Sequence, residues 1–254
     1  MATENNVEKR RKIYFASDFH LGITNGISSA EIEKKVVSWL NSAAKDAKEI
    51  YLLGDIFDFW WEYRKVVPKG FTRFLGTISS ITDSGIPVHF FTGNHDLWAD
   101  DYLWEECGVI MHKSPLSVTI DGKTFHLAHG DRLGTKNIVS KLVSALFRNK
   151  ILQKMYSVIH PTIGIGIGQK WSQISSKAGK KTIEDSRKKT HNDLIRYAKS
   201  IILKEKIDYF IFGHSHLAMN YKLNPHCEIL FLGDWISSTS YGLWDGEKLS
   251  LEEF

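Results

Sequence analysis

Cysteine is scarce in this chain of 254 residues, which contains only Cys107 and Cys227. Because the two do not form a close-spaced pair, we expect neither a disulfide framework nor a zinc knuckle, and we predict two reduced thiols. No apolar run approaches the roughly 20 residues that span a bilayer. Residues 1–11 are polar and charged, without the apolar core of a signal peptide. These absences predict a cytoplasmic protein.

The composition favours one domain, or one domain with an insertion, since 43% hydrophobic residues can build a sizeable core. The charge is uneven. Residues 132–189 contain 13 Lys and Arg against Glu184 and Asp185, a local charge of +11. Since the whole chain carries +4, the remainder carries −7. One basic segment therefore interrupts an acidic chain.

Strand-like and helix-like segments alternate outside that basic segment. Apolar residues at helical spacing predict helices over residues 28–45 and 71–83. Short apolar runs predict strands over residues 12–17, 50–53, 87–91, 118–120, 124–128, 209–212, 228–232 and 241–249, the last with a turn at 245–246. This alternation predicts an α/β protein with two sheets covered by helices.

Five predicted strands lead into loops that contain Asp, His or Asn. The loops are Ser17-Asp18-Phe19-His20, Gly54-Asp55-Ile56-Phe57-Asp58, Gly93-Asn94-His95-Asp96, His129-Gly130-Asp131 and Gly213-His214-Ser215-His216. In α/β proteins, functional side chains cluster on loops at the carboxyl ends of strands, so we expect the five loops to converge. Carboxylate, amide and imidazole ligands together suit Mn²⁺ or Fe²⁺, whereas a thiolate set would indicate zinc or iron-sulfur chemistry. The pattern predicts a metal site.

Asp55 is the predicted bridge between two ions, because a carboxylate has two oxygens to share and paired ions about 3.5 to 4 Å apart need a bridging group. Such a pair lowers the pKa of a water that attacks phosphorus, and it neutralises charge on the phosphoryl oxygens. Each loop alone has an ordinary explanation: Gly54-Asp55 is also typical of a turn, and Asn94-His95 of a helix cap. The ordered set of five favours a phosphoesterase.

Residues 132–190, here called the cap, interrupt the alternation and predict an inserted helical lid on a core of residues 1–131 and 191–254. A broadly apolar helix is predicted from Ile138 to Ile159 and ended by Pro161. The glycine-rich run at 163–168 predicts a hinge or a close-packing turn, and residues 169–189 a second, basic helix.

The ordered motifs resemble those of the calcineurin-like metallophosphoesterase superfamily over nearly the whole chain. The resemblance implies a two-sheet β sandwich flanked by helices (αββα). It also implies two divalent ions, and it assigns one ion to Asp18, His20, Asp55 and His216 and the other to Asp55, Asn94, His129 and His214.

The resemblance further implies a catalytic set of Asp55, Asn94 and His95. His95 would contact the leaving group or a phosphoryl oxygen without binding metal. Three carboxylates would lie next to the metal ligands without binding metal themselves: Asp58, Asp96 and Asp131. Asp58 and Asp96 would fix the tautomer and orientation of the metal-binding imidazoles.

A closer resemblance is to the UDP-2,3-diacylglucosamine pyrophosphatases of lipid A synthesis. Three motifs and the insertion after them carry it: residues 17–22, the aromatic-rich 53–61 and 128–131. It implies hydrolysis at the α-phosphorus to UMP and 2,3-diacylglucosamine 1-phosphate, a preference for Mn²⁺ over Fe²⁺ or Zn²⁺, and action at the cytosolic face of the bacterial inner membrane. The best-known members carry Arg where this chain has His95.

The cap agrees with such a substrate, since apolar helices suit acyl chains and cations suit a diphosphate or anionic lipid headgroups. The candidate contacts are Trp171, Lys177, Lys180 and Lys181. Nucleic acid is not an expected partner, because the aromatics of the basic segment are limited to Tyr156 and Trp171. No obligate protein partner is inferred. The alternatives are a phosphoesterase for soluble nucleotides or phosphodiesters and a non-catalytic scaffold of the same fold.

Overall fold

Strand β1 (Lys12–Ala16) lies inside the first of two sheets and is buried on both faces. Ile13 and Phe15 face the second sheet, whereas Tyr14 and Ala16 pack with the helices on the other side. The computed structural model describes residues 10–23, 28–176 and 180–254. Because alternate side chains of a strand point to opposite faces, this one strand contributes to two apolar layers.

The first sheet has six strands in the spatial order β11-β10-β1-β2-β3-β4. Strands β1 to β4 run parallel, and β10 and β11 close the edge beyond β1 in antiparallel fashion. The strands besides β1 are β2 (Ala47–Leu53), β3 (Val88–Phe91), β4 (Ile110–His112), β10 (Ser240–Trp244) and β11 (Leu249–Glu253).

The second sheet has five strands in the order β5-β6-β7-β9-β8, and its central strands β6, β7 and β9 are parallel. Its strands are β5 (Leu116–Ile120), β6 (Lys123–Ala128), β7 (Tyr209–Phe212), β8 (Ala218–Asn224) and β9 (Cys227–Leu232). β4 and β8 were not predicted from the sequence, because one is very short and the other lies at a sheet edge, where none of its residues is buried.

Helices cover both outer faces and form the cap. They are α1 (Ser29–Ala43), α2 (Thr72–Asp83), α3 (Tyr102–Cys107), α4 (Ile138–Arg148), α5 (Lys150–Tyr156), α6 (Pro161–Ser176) and α7 (Lys180–Ile201). The first three lie on the first sheet, and the C-terminal half of α7 packs on the second through Leu194 and Ala198. The predicted αββα order is therefore confirmed.

The cap differs from its prediction in the number and limits of its helices. The single helix predicted from Ile138 to Ile159 is two helices, because the Asn149 side chain caps α5 by accepting hydrogen bonds from the Ile151 and Leu152 amides. Pro161 begins α6, since proline lacks only an amide hydrogen that the first helical turn does not use. α7 continues past residue 190, so the predicted core boundary falls inside a helix.

The glycine-rich run forms part of α6, so the predictions of a hinge and of a turn are both wrong, although the run does pack closely against its neighbours. A Cβ atom added at Gly164 would collide with Tyr63, and one at Gly168 would collide with the Phe59 ring. The Trp61 ring packs against the Tyr156 ring in a tilted arrangement, with 4.4 Å between the ring centroids. The cap is thereby held against the aromatic loop that follows β2. Among the helices described, none has the length and apolar character that crossing a bilayer needs.

Candidate metal centre

Five site residues share an unusual backbone conformation at the ends of β1, β2 and β7. Asp18, His20, Asp55, His214 and His216 all have φ between 47° and 61°. Side chains other than glycine rarely adopt this left-handed region, and each such residue costs about 1 to 3 kcal/mol unless its surroundings enforce it. Strain of this kind clusters at functional sites. The strained backbone positions therefore coincide with the strand ends at which the sequence predicts the site.

Asp18 presents one bound oxygen and one free oxygen. Its Oδ2 accepts hydrogen bonds from Ser17 Oγ at 2.5 Å and from the His214 amide at 3.0 Å. Its Oδ1 is buried without a partner and lies 3.4 Å from His216 Nε2. Hydrogen bonds from a backbone amide and a hydroxyl thus hold the Asp18 carboxylate in place through Oδ2, while Oδ1 remains free to bind a cation.

Asp55 is arranged in the same way. Its Oδ1 accepts a hydrogen bond from the His95 amide at 2.9 Å, and its unpartnered Oδ2 lies 3.2 Å from His129 Nε2 and 4.0 Å from His20 Nε2. The loop can approach so closely only because residue 93 is glycine, where a Cβ atom would collide with the Asp55 carboxylate. Asp55 Oδ2 therefore lies between the His20 and His129 imidazoles.

Three overlapping groups of ligand atoms lie within 4.8 Å of one another. They are Asp18, His20 and His216; His20, Asp55 and His95; and Asp55, His129 and His214. Asn94 Oδ1 joins the last group, 3.3 Å from His129 Nε2. The structure thus brings together the seven residues predicted as ligands, here called the cluster.

The cluster fits a pair of cations. Asp18 Oδ1, Asp55 Oδ2 and His20 Nε2 are buried polar atoms without hydrogen-bond partners, although such atoms are normally paired in folded proteins. They are ligand types that divalent transition metals accept. Bound cations would interact with all three atoms, for which the protein supplies no hydrogen-bond donor or acceptor.

The pKa values describe the charges that the cluster holds in the absence of a cation. Burial lowers the pKa of His129, but the carboxylates of Asp55, Asp18 and Asp131 together outweigh burial and raise it to about 10. Burial raises the pKa of Asp55, yet His129 and His95 hold it well below its ordinary value. Burial and His129 lower the pKa of His214 to about 4. Metal binding would require His129 to release its proton, so affinity should increase with pH.

Two imidazoles of the cluster are hydrogen-bonded through their second nitrogen. His129 Nδ1 donates to the Leu53 carbonyl at 2.8 Å, and His216 Nδ1 lies 3.3 Å from Asp234 Oδ2. Such contacts fix the tautomer that leaves Nε2 free for a metal. His20 Nδ1 lies 3.4 Å from Asp58 Oδ1 without a hydrogen bond between the two atoms, so the predicted role of Asp58 stays a prediction.

Asp96 and Asp131 have different contacts from those predicted. Asp96 accepts hydrogen bonds from the amides of Gly93 at 2.6 Å and Ile56 at 2.8 Å, so it braces two loops instead of orienting an imidazole. Burial and the charge of Asp55 raise its pKa to about 7. Among the described residues, Asp131 pairs with Arg132 and with Arg148 of α4. It therefore joins the cluster's border to the cap.

His95 lies at the border of the cluster and is partly exposed. Its Nδ1 donates to the Asp58 carbonyl at 2.8 Å, and its Nε2 lies 4.0 Å from Asp55 Oδ2. The carbonyl contact leaves Nε2 as the atom directed to the cluster. This geometry suits a hydrogen bond to a ligand that rests on the cluster.

The cluster opens into a chamber of about 870 Å³ between the core and the cap. Asn94, His95 and His214 form its polar floor. The remaining lining is largely apolar and aromatic and includes Phe59, Trp61, Leu97, Trp98, Leu146, Phe147, Leu152, Met155, Tyr156, Ile159, Ile167, Gly168 and Trp171.

Of the four predicted cap contacts, only Trp171 has a described side chain. It lines the chamber and meets the Phe147 ring edge-to-face at 5.3 Å. Lys177 lies outside the described residues. Lys180 and Lys181 begin α7, and their side chains are likewise outside the description.

Comparison with known proteins agrees with this geometry. The sequence model of the calcineurin-like phosphoesterase family matches residues 11–218. This chain belongs to the calcineurin-like phosphoesterase family. The match runs from β1 to the first residue of β8, so it includes all five loops of the cluster and the whole cap.

Several relatives of this phosphoesterase carry one name. The UDP-2,3-diacylglucosamine hydrolase of Porphyromonas gingivalis is 40% identical over 96% of the chain and 97% of its own length. The hydrolase of that name from Histophilus somni is 25% identical over 91% of the chain and 94% of its length. A solved phosphoesterase from E. coli, Yfce, is 14% identical and covers 95% of the chain and 92% of its own, with a TM-score of 0.48.

Asp234 is the site residue of this phosphoesterase that the sequence interpretation missed. It follows β9 directly after Gly233, and it is buried. The same pattern of an apolar strand, Gly and Asp identified Asp55 after β2, so it was available as a signal. It was overlooked because Asp234 is followed by Trp-Ile-Ser-Ser and not by a second metal-binding residue type.

Proposed function

We propose that this phosphoesterase hydrolyses the pyrophosphate bond of UDP-2,3-diacylglucosamine at the α-phosphorus, releasing UMP and 2,3-diacylglucosamine 1-phosphate. One observation carries the proposal: Asn94, His95 and His214 belong both to the polar site and to the floor of the apolar chamber. A substrate that fits has a phosphate ester at one end and a bulky apolar group at the other. The names of the relatives support the same substrate.

Two divalent ions, in our proposal Mn²⁺ with Fe²⁺ or Zn²⁺ as substitutes, would supply an activated water and neutralise charge on the phosphoryl group. Asp18, His20, Asp55 and His216 would hold one, and Asp55, Asn94, His129 and His214 the other. The free oxygens Asp18 Oδ1 and Asp55 Oδ2 support this assignment.

His95 would bind a phosphoryl oxygen or the leaving group through Nε2. The Asp58 carbonyl holds the ring by its other nitrogen, so the ring is oriented before the substrate arrives. Pre-oriented donors stabilise developing charge without reorganisation during the reaction. Asp55, Asn94 and His95 would thus form the catalytic set.

The chamber would take the acyl chains, with Phe59, Trp98, Phe147 and Trp171 among its walls. Each methylene removed from water contributes about 0.8 kcal/mol, so two acyl chains supply much of the binding free energy. In this scheme the division into a core of residues 1–131 and 191–254 and a cap of residues 132–190 separates catalysis from lipid recognition.

We further propose that the cap rests on the cytosolic face of the bacterial inner membrane. Ile138, Ile151 and Val158 are 79%, 72% and 83% exposed, which is unusual for large apolar side chains. Exposed Lys141 and Lys150 lie on α4 and α5, the helices that carry Ile138 and Ile151, and Val158 follows α5. Near an anionic membrane each cation contributes about 1 kcal/mol. Neither nucleic acid nor an obligate protein partner forms part of the proposal.

A labelled-water assay tests the reaction. The Mn²⁺-loaded protein is incubated with UDP-2,3-diacylglucosamine in H₂¹⁸O, and both products are analysed by mass spectrometry. Attack at the α-phosphorus puts ¹⁸O into UMP, whereas attack at the β-phosphorus puts it into the lipid phosphate. Label in the lipid phosphate would contradict the proposed site of attack. Turnover of soluble nucleotides with an untouched lipid would contradict the substrate.

A further inference from the structure

The loop after β9 presents one carboxylate oxygen of Asp234 toward the cluster. Asp234 Oδ1 accepts three hydrogen bonds from its own loop: from the Ile236 amide at 3.1 Å, the Ser237 amide at 2.6 Å and Ser237 Oγ at 2.7 Å. The side chain is 2% exposed. With Oδ1 occupied by the loop, Oδ2 is the atom left to face His216.

His216 needs such a partner more than His20 and His129 do. Its side chain is 23% exposed, whereas those of His20 and His129 are 5% and 1% exposed, so packing restrains it less than it restrains those two. Its Nδ1 lies 3.3 Å from Asp234 Oδ2, and its Nε2 lies 3.4 Å from Asp18 Oδ1. A carboxylate only accepts hydrogen bonds, so it selects the tautomer with a proton on Nδ1 and a free lone pair on Nε2.

The same loop is tied to the loop that carries Asp18. The amide of Trp235, the residue after Asp234, donates to the Asp18 carbonyl at 3.2 Å. Asp234 and Asp18 thus hold opposite sides of the His216 ring from two connected loops. Arg187 of α7 also lies 3.6 Å from Asp234 Oδ2, which connects this carboxylate to the helix that enters the cap.

We propose that Asp234 is a positioning residue that keeps His216 Nε2 free to bind a divalent cation. The inference rests on the proposed function only in treating the cluster as a cation site. It makes no use of the identity of the substrate.

The variant Asp234→Asn tests the role. Its carbonyl oxygen would keep the three loop hydrogen bonds, while the new amide nitrogen would donate to His216 Nδ1 and favour the tautomer that blocks Nε2. Mn²⁺ binding to metal-free protein is measured by calorimetry, without substrate. We expect one of two ions to bind about 10- to 100-fold more weakly. The thermal midpoint of the metal-free variant should stay within about 2 °C of wild type, since its loop contacts persist.

Ser237→Ala is the matched control, because it removes a donor to Oδ1 and leaves the Oδ2 contact with His216. Its Mn²⁺ affinity should stay within about threefold of wild type. Wild-type affinity for both ions in Asp234→Asn would overturn the proposal, as would an equal loss in Ser237→Ala, which would assign Asp234 to loop stability. If wild type binds two ions yet leaves the lipid intact, the proposed function fails and this inference stands.

Discussion

The contact between Gly168 and Phe59 offers a direct test of the chamber. Gly168 lies in α6 and lines the chamber, and a Cβ atom at this position would collide with the Phe59 ring. The ring has little room to move, since Phe59 is buried and packs 5.8 Å from the Trp98 ring. Gly166, one half-turn earlier, has open space where its Cβ atom would lie. The two glycines therefore form a matched pair.

The variants Gly168→Ala and Gly166→Ala should differ in stability. Both gain about 1 kcal/mol in helix propensity, but only Gly168→Ala meets a collision, and overpacking costs about 1 to 3 kcal/mol. We expect Gly166→Ala to be as stable as wild type or more stable. Gly168→Ala should be less stable than Gly166→Ala by about 1 to 3 kcal/mol, measured as the difference in free energy of unfolding in urea.

The effect on catalysis should be confined to the lipid substrate. A displaced Phe59 ring narrows the chamber, and exclusion of about two methylenes, at about 0.8 kcal/mol each, would lower kcat/KM roughly 15-fold. Hydrolysis of a small chromogenic phosphodiester, which leaves the chamber empty, should not change. Equal loss on both substrates would refute the assignment of the chamber to the acyl chains. So would a loss as large in Gly166→Ala.

Four further predictions concern the cluster, the cap and pH. Asp55→Ala should lower turnover by more than about 10³-fold, because Asp55 Oδ2 faces both groups of imidazoles; near-normal kinetics would contradict the bridge. His95→Ala should retain two ions by elemental analysis yet hydrolyse slowly, and loss of both ions would mean that its role is misassigned. Val158→Glu should weaken sedimentation with anionic vesicles without slowing the chromogenic reaction; unchanged sedimentation would count against membrane contact through α5 and the residues after it. Burial and His89 lower the folded-state pKa of His112 to about 4, so the stability that neutral His112 contributes is present above the unfolded pKa of 6.5 and is lost as pH falls toward 4. His112→Gln should therefore reduce the dependence of the free energy of unfolding in urea on pH across that range. An unchanged pH dependence would exclude His112 as a cause of the acid destabilisation.

Much of the site could be predicted because its chemistry is local in the sequence. Asp18, Asp55 and Asn94 each follow a short apolar strand, and parallel strands end at the same edge of a sheet. Residue type and position were therefore enough to predict that these side chains converge. The order of sheets and helices followed from the same alternation.

The cap was predicted less well because its apolar pattern does not specify where a helix breaks. Asn149 divides the predicted helix through a side-chain cap, and Pro161 begins a helix that it was expected to terminate. Gly164 and Gly168 are compatible with a hinge until Tyr63 and Phe59 are placed beside them. Helix periodicity cannot anticipate contacts with residues a hundred positions away.

The amino-acid sequence by itself determined which residue types stand at each strand end, and hence that a site for cations and phosphate was expected. Only the tertiary structure decided how those side chains are held. The Leu53 carbonyl orients His129, Asp234 faces His216, and Asp96 binds backbone amides in place of an imidazole. The physical reason is that orientation depends on hydrogen bonds between loops far apart in the chain, and such partners leave no periodic signal in the sequence.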